Sequence, residues 1–311
     1  MEVSWKLTHW VRRLVNFLGG LLLGLVAWGY YLTLRIWPNG VRYSALLVTA
    51  WLVYMFWPGA RVTIRANIQA LQPGLDSAAI GRVARRFLRA FSHTWAFLLS
   101  GVRVDFADLR ERVENADLLL AYHTQGKPTV VVFPHIGPVN ELIPAVQALL
   151  IRVFIPAEAI APLLYRLMVR QRTKYGDLEM ERVRRGETLG RCAMKLAEGR
   201  IVILAVDITR EDDGRGVLCQ VGEACAYFPV GAVKLALEQG ATIFPAFPYY
   251  DEGWGPRLRI GEPFSLLSTG DLNADIKVNT QRLIEEVIAP HVQRWCSDWW
   301  RIWLSKLQKA G

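Results

Sequence analysis

The sequence predicts an α/β protein: a mostly parallel sheet covered by helices on both faces, with an N-terminal membrane helix or helical hairpin. Three observations carry that expectation. Short apolar and β-branched runs, among them Thr129-Val-Val-Val-Phe and Ile201-Val-Ile-Leu-Ala-Val206, lack polar alternation, as strands buried on both faces do. Helix-length stretches separate these runs with short connections, which is the order of a sheet wound with helices. The apolar excess sits mainly near the N-terminus, in a chain whose residues are 52% hydrophobic and include 12 Trp.

The run Leu14–Leu34 is broken only by Asn16, Thr33 and glycines. As a helix it is about long enough to cross the ~30 Å of bilayer hydrocarbon, and it lacks the small-residue cleavage site of a signal peptide. Pro38-Asn39-Gly40 then supplies a turn. The second run, Tyr43–Trp57, is short for a span, so it is expected to be re-entrant, interfacial or docked on the following domain. Trp28, Tyr30, Tyr31, Trp37, Trp51, Tyr54 and Trp57 stand at the run ends, where interfacial anchors belong. Residues 1–58 are therefore assigned to membrane anchoring, and 59–311 to one domain that ends in a Trp-rich helix.

Within that domain, Ser77–Ser100 reads as an amphipathic helix with Arg82, Arg85, Arg86 and Arg89 on one side. A strand near Val102 follows, then a helix over Leu109–Gln125 and the strand running into His135. Next come a helix from Glu141, a strand at Val153–Ile155 and a basic helix over Leu163–Lys174. The helix Glu187–Glu198 closes at Gly199, ahead of the strand Ile201–Val206. Another helix, Val233–Gln239, closes at Gly240, ahead of the strand Thr242–Phe247. At the C-terminus Trp295, Trp299, Trp300 and Trp303 recur at helical spacing among Arg294, Arg301, Lys306 and Lys309. This is the pattern of a helix docked on the core or lying among lipid headgroups.

A formal charge of +9 favours anionic partners: an anionic membrane surface, or phosphorylated and acidic substrates. Nucleic acid is set aside, because no finger spacing, basic recognition helix or aromatic-basic RNA signature occurs. Cys192, Cys219, Cys225 and Cys296 form no CxxC pair and have no histidine at metal spacing, so they read as free thiols with no metal site.

The stretch Thr129-Val-Val-Val-Phe-Pro-His135-Ile-Gly-Pro-Val-Asn140-Glu141 carries the chemistry. A buried strand delivers its last side chain to the edge of a parallel sheet, where ligands bind. A histidine there, with a carboxylate one turn on, has the residue types of a general base and its orienting partner. Gly137 lets backbone approach closely, and the N–H groups that open the next helix suit an oxyanion or phosphate.

From His135 onward the pattern resembles the glycerolipid acyltransferase superfamily, in its lipid A late-acyltransferase and phosphatidylinositol mannoside acyltransferase branch. The similarity extends over Arg65-Ala-Asn67-Ile, Val206-Asp207-Ile-Thr-Arg210, Gly222-Glu223…Pro229-Val-Gly231 and Ala241-Thr-Ile-Phe-Pro245, in that order across roughly residues 60 to 305. One departure stands out. The branch places its acid five positions after the histidine, where this chain has Asn140, and Glu141 comes one place later. Glu141 is preferred as the partner of His135, because an Asn would hold an imidazole without stabilising imidazolium. Asn140 and Glu223 are the other candidates.

The resemblance implies a membrane-bound O-acyltransferase that moves a fatty acyl group from acyl-CoA or an acyl carrier protein thioester to a hydroxyl of a membrane (glyco)lipid. It uses no cofactor and no serine or cysteine nucleophile, and sits at the inner (cytoplasmic) membrane with the catalytic domain on the cytoplasmic side. His135 would be the base, while Arg172 and Arg210 would hold phosphates, with Asp207 orienting Arg210 or a neighbouring turn. Two other functions fit the same fold: an impaired lipid-binding or scaffold protein, and a thioesterase or hydrolase. The hydrolase lacks the Gly-x-Ser-x-Gly elbow that would favour it.

Overall fold

The computed structural model describes residues 25, 28–29, 31–32, 36–100, 106–149, 151–157, 162–182, 186–207, 216–294, 298–299 and 307–309. Most of the run Leu14–Leu34 and the strand expected near Val102 therefore lie outside the described residues.

The domain is built on a seven-stranded sheet. Its strands are β1 (Val113–Glu114), β2 (Thr129–Phe133), β3 (Val153–Ala157), β4 (Leu178–Arg182), β5 (Ile201–Ala205), β8 (Thr242–Tyr250) and β9 (Pro256–Ile260), in the spatial order β1-β9-β8-β2-β5-β3-β4. Every pairing is parallel except β8 with β9. A hairpin of β6 (Gly216–Val221) and β7 (Ala224–Pro229) forms a second, antiparallel sheet, with β10 (Gln308–Lys309) added along β7.

β2 lies at the centre and is buried along its whole length. Its side chains alternate between two cores, which is why the strand reads as an unbroken apolar run. Val130 and Val132 join the core capped by α8 (Thr188–Ala197) and α9 (Gly231–Gln239), with Cys192, Leu196, Val233 and Leu235. Val131 and Phe133 face the other core, with Leu119 of α5 (Ala116–Thr124) and Val139, Ile143 and Val146 of α6 (Val139–Gln147). The α/β class and the two covered faces match the sequence pattern.

Among the described residues, the long helices ahead of the sheet are α1 (Asn39–Phe56), α2 (Pro58–Leu71) and α3 (Ser77–Ser100). Pro58 opens α2 and Asp76 accepts the Ala79 N–H at 2.6 Å to open α3, so each start has a local cause. α1 packs along α3. Tyr31 and Leu46 meet Leu164 and Leu167 of α7 (Pro162–Arg172), so the second apolar run is docked in part on the domain. Among the described residues no single helix is long and apolar enough to cross a membrane; the latter part of α1 and α2 form a pair bent by 93°.

Several elements differ from expectation. The helix read over Leu109–Gln125 is two, α4 (Phe106–Glu111) and α5, separated by β1 and by Asn115 in a left-handed turn with φ 59°. β2 ends at Phe133, so His135 lies in the turn beyond it. Of the Trp-rich C-terminal stretch, 295–297 and 300–306 lie outside the described residues; Asp298 and Trp299 are not α-helical, Trp299 is wholly buried, and Gln308–Lys309 form β10. β4, the β6–β7 hairpin, β9 and α10 (Leu272–Arg282) were not read from the sequence.

The hairpin turn requires its glycine. Gly222 has φ +65°, and a Cβ there would lie 2.7 Å from Gln293 Nε2 and 3.1 Å from the Leu71 carbonyl. Gly240 has φ +59° but nothing within 4 Å of the same position. Gly240→Ala should therefore cost about 1 kcal/mol of unfolding free energy, the left-handed penalty alone. Gly222→Ala should cost roughly 2–4 kcal/mol, because the penalty adds to overpacking. Thermal unfolding of the two variants side by side checks the order.

Candidate active site

The site grows out of strand register. β2 and β5 are parallel neighbours with Phe133 opposite Ala205, and the Val206 N–H donates to the Phe133 carbonyl at 3.0 Å. Two more residues along each chain bring His135 opposite Asp207. Beyond the last ladder bond the backbones part, and the side chains take over the pairing.

Asp207 Oδ1 meets His135 Nδ1 at 2.7 Å, and Oδ2 accepts both the His135 backbone N–H and the Trp299 indole N–H at 2.7 Å each. A carboxylate only accepts, so Nδ1 carries the proton it donates and the imidazole lone pair lies on Nε2. The Asp207 side chain is 1% exposed and that of His135 18%, so a buried acid orients a partly accessible ring. Burial alone would raise the Asp207 carboxyl. The imidazole beside it, together with the His135 and Trp299 N–H groups, outweighs burial and holds it below the usual carboxylate range.

The turn that carries His135 is anchored on every side. Gly137 has φ +55°, and an added Cβ would lie 3.3 Å from the Pro248 carbonyl and 3.4 Å from the Tyr249 Cα, so this position brings backbone against β8. The Gly137 N–H donates to the Asp298 carbonyl at 2.9 Å, and its own carbonyl accepts the Thr94 hydroxyl at 2.8 Å. Ile136 bridges to Trp299, and the Asp298 carboxylate is held by Arg86 of α3 at 3.2 Å. Asn140, buried in α6, donates to the Thr94 carbonyl at 3.1 Å and accepts from Arg172 Nη2 at 2.6 Å.

The candidate residues thus fall into different places. Asp207, read as orienting Arg210 or a turn, is the acid on Nδ1 of His135, in place of Asn140 or Glu223. Asn140 spends its amide on Thr94 and Arg172. Glu223 is exposed at the tip of the β6–β7 hairpin. The Glu141 side chain and Arg210 lie outside the described residues. Arg172 is half-buried beside Asn140. The motif residue Asn67 is structural: its side-chain oxygen accepts the Leu307 N–H at 2.9 Å and fixes where the C-terminal segment returns. Sequence reasoning missed the joint role of Asp207 and the part of Trp299. The signal for the first was present, in two buried strands ending in His and Asp; what was lacking was their adjacency.

The model of the bacterial lipid A biosynthesis acyltransferases matches residues 19–307. The chain belongs to this family. As a member of it the protein is a lipid acyltransferase. No curated protein matches the chain. Among solved structures it is similar to the 1-acyl-sn-glycerophosphate acyltransferase of Thermotoga maritima, at 19% identity over 81% of this chain and 98% of that one, with a TM-score of 0.35. A likeness that distant adds nothing to the assignment.

In this acyltransferase Asp207→Asn should fold and keep the geometry but admit the wrong imidazole tautomer, lowering turnover about 10²–10⁴-fold. The acid also leaves a mark on stability. A carboxyl held below its ordinary range stabilises the fold fully above about pH 4 and loses that contribution as pH falls through its native value. The difference in unfolding free energy between wild type and Asp207→Asn should therefore shrink on acidification below about pH 4 in denaturant titrations.

Proposed function

We propose that this acyltransferase is membrane-bound and transfers a fatty acyl group from an acyl thioester, carried by coenzyme A or acyl carrier protein, to a hydroxyl of a (glyco)lipid. The observation that carries the reading is the His135–Asp207 pair at the end of the central strands. His135 Nε2 takes the proton of the acceptor hydroxyl as its oxygen attacks the thioester carbonyl. The C–S bond then breaks, and the thiolate leaves with the proton from imidazolium. Asp207 stabilises the imidazolium between those two events and stays ionised throughout. The N–H groups opening α6, next to the His135 turn, are candidates for the thioester oxyanion, and Arg172 and Arg210 for phosphates of donor or acceptor.

Attachment to the inner (cytoplasmic) membrane, with the domain on the cytoplasmic side, completes the proposal. Val41, Val48, Leu52 and Met55 recur on one face of α1 and are exposed, followed by exposed Phe56 and Trp57. An apolar stripe of this kind on a helix that leads out of the run Leu14–Leu34 suits hydrocarbon better than water. Arg82, Arg85 and Arg89 of α3 are exposed as well, which suits an anionic surface.

Membranes holding the protein, supplied with palmitoyl-CoA and a bacterial lipid extract, should yield acylated lipid by mass spectrometry, and His135→Ala should abolish it. Thioester hydrolysis without lipid product would make the protein a thioesterase, and undiminished transfer by His135→Ala would overturn the base assignment. High salt should leave the protein in the membrane fraction, because screening weakens charge contacts and not apolar insertion. Release by salt alone would show a peripheral, electrostatic attachment.

A further inference from the structure

We propose that Trp299 is a positioning residue for the His135–Asp207 pair, holding the Asp207 carboxylate so that Oδ1 is the atom presented to the ring. The inference rests on His135 being the base of the proposed reaction. A carboxylate on a single methylene can turn about χ2, and rotation would offer Nδ1 either oxygen at a range of angles. Here Oδ2 is engaged twice, by the His135 backbone N–H and by the Trp299 indole, while Oδ1 faces the imidazole.

The indole is itself held. Trp299 is wholly buried, its backbone bridges Ile136, and the preceding residue accepts the Gly137 N–H. Among the described residues, the charged groups bonded to this turn's neighbours include Asp298 of the C-terminal segment and Arg86 of α3, which are paired with each other, and Arg172 of α7, bound to Asn140. The chain therefore reaches back more than ninety residues past Asp207 to place one N–H on it. Packing alone would be served by a ring without a donor.

The donor also tunes the pair. The positive end of the indole N–H dipole draws off carboxylate charge that would otherwise stabilise imidazolium. Without it, imidazolium should become easier to form, while the carboxylate loses its fixed angle.

The test follows His135 in the full-length, ¹⁵N-histidine-labelled protein in detergent, with its signal assigned by its loss in His135→Gln. Trp299→Phe should raise the midpoint of the His135 titration by about half to one pH unit. It should also lower kcat for palmitoyl transfer from palmitoyl-CoA about tenfold at unchanged KM. Replacement of Trp299 by benzothienylalanine, which keeps the shape and lacks the N–H, should give the same shift and serves if Trp299→Phe does not fold. An unchanged midpoint with the isostere overturns the proposal and leaves Trp299 as packing. A shifted midpoint in a protein without transfer activity supports the positioning role while the functional reading fails.

Discussion

The parallel pairing of β2 with β5 is the constraint on which the site depends. Side chains beyond the ends of adjacent parallel strands project in the same direction and cannot avoid one another, so Phe133 opposite Ala205 commits His135 to Asp207. The strands are apolar because both faces of the sheet are covered, and the ladder tolerates no slip that would turn a valine face into the wrong core. Register then sets the distance between base and acid without a dedicated loop. The acid can be buried because three N–H groups converge on it, which offsets the desolvation that would otherwise protonate it.

Around this pair the rest of the chain acts as a frame. α3 reaches the turn through Thr94 and, by way of Arg86, through Asp298; β8 approaches it so closely that only Gly137 fits; the C-terminal segment supplies Asp298 and Trp299. These groups come from positions spread over most of the sequence, and they converge on the turn after β2, where Thr94 and Asp298 both bond Gly137. Asn67 and Gly222, far from the chemistry in sequence, serve that return by fixing Leu307 and by letting the hairpin lie against Leu71 and Gln293.

Where the sequence speaks through local rules, it reads well. The α/β class followed from unalternated strands, the bounds of α3 from amphipathic spacing, and the closures at Gly199 and Gly240 from left-handed caps. Local rules failed where tertiary contact decides. The break at Asn115 interrupts a stretch that is apolar enough for one helix, and the edge strand β4 and the strand β9 are too polar to announce themselves. Trp299 shares helical spacing with its neighbours in sequence, yet Trp299 itself is not α-helical and bridges Ile136. The meeting of His135 with Asp207 is not legible in the sequence, because spacing within a motif is visible there and the order of strands in a sheet is not.

The central claim is that His135 and Asp207 act as one catalytic unit, and a double-mutant cycle on acyl transfer measures this most directly. Residues that work through one another lose activity non-additively, since the second substitution removes an interaction already lost. The account predicts that His135→Gln combined with Asp207→Asn is no slower than His135→Gln alone. Losses that multiply, with the double variant slower by the product of the single effects, would show that the two residues contribute independently and would contradict it.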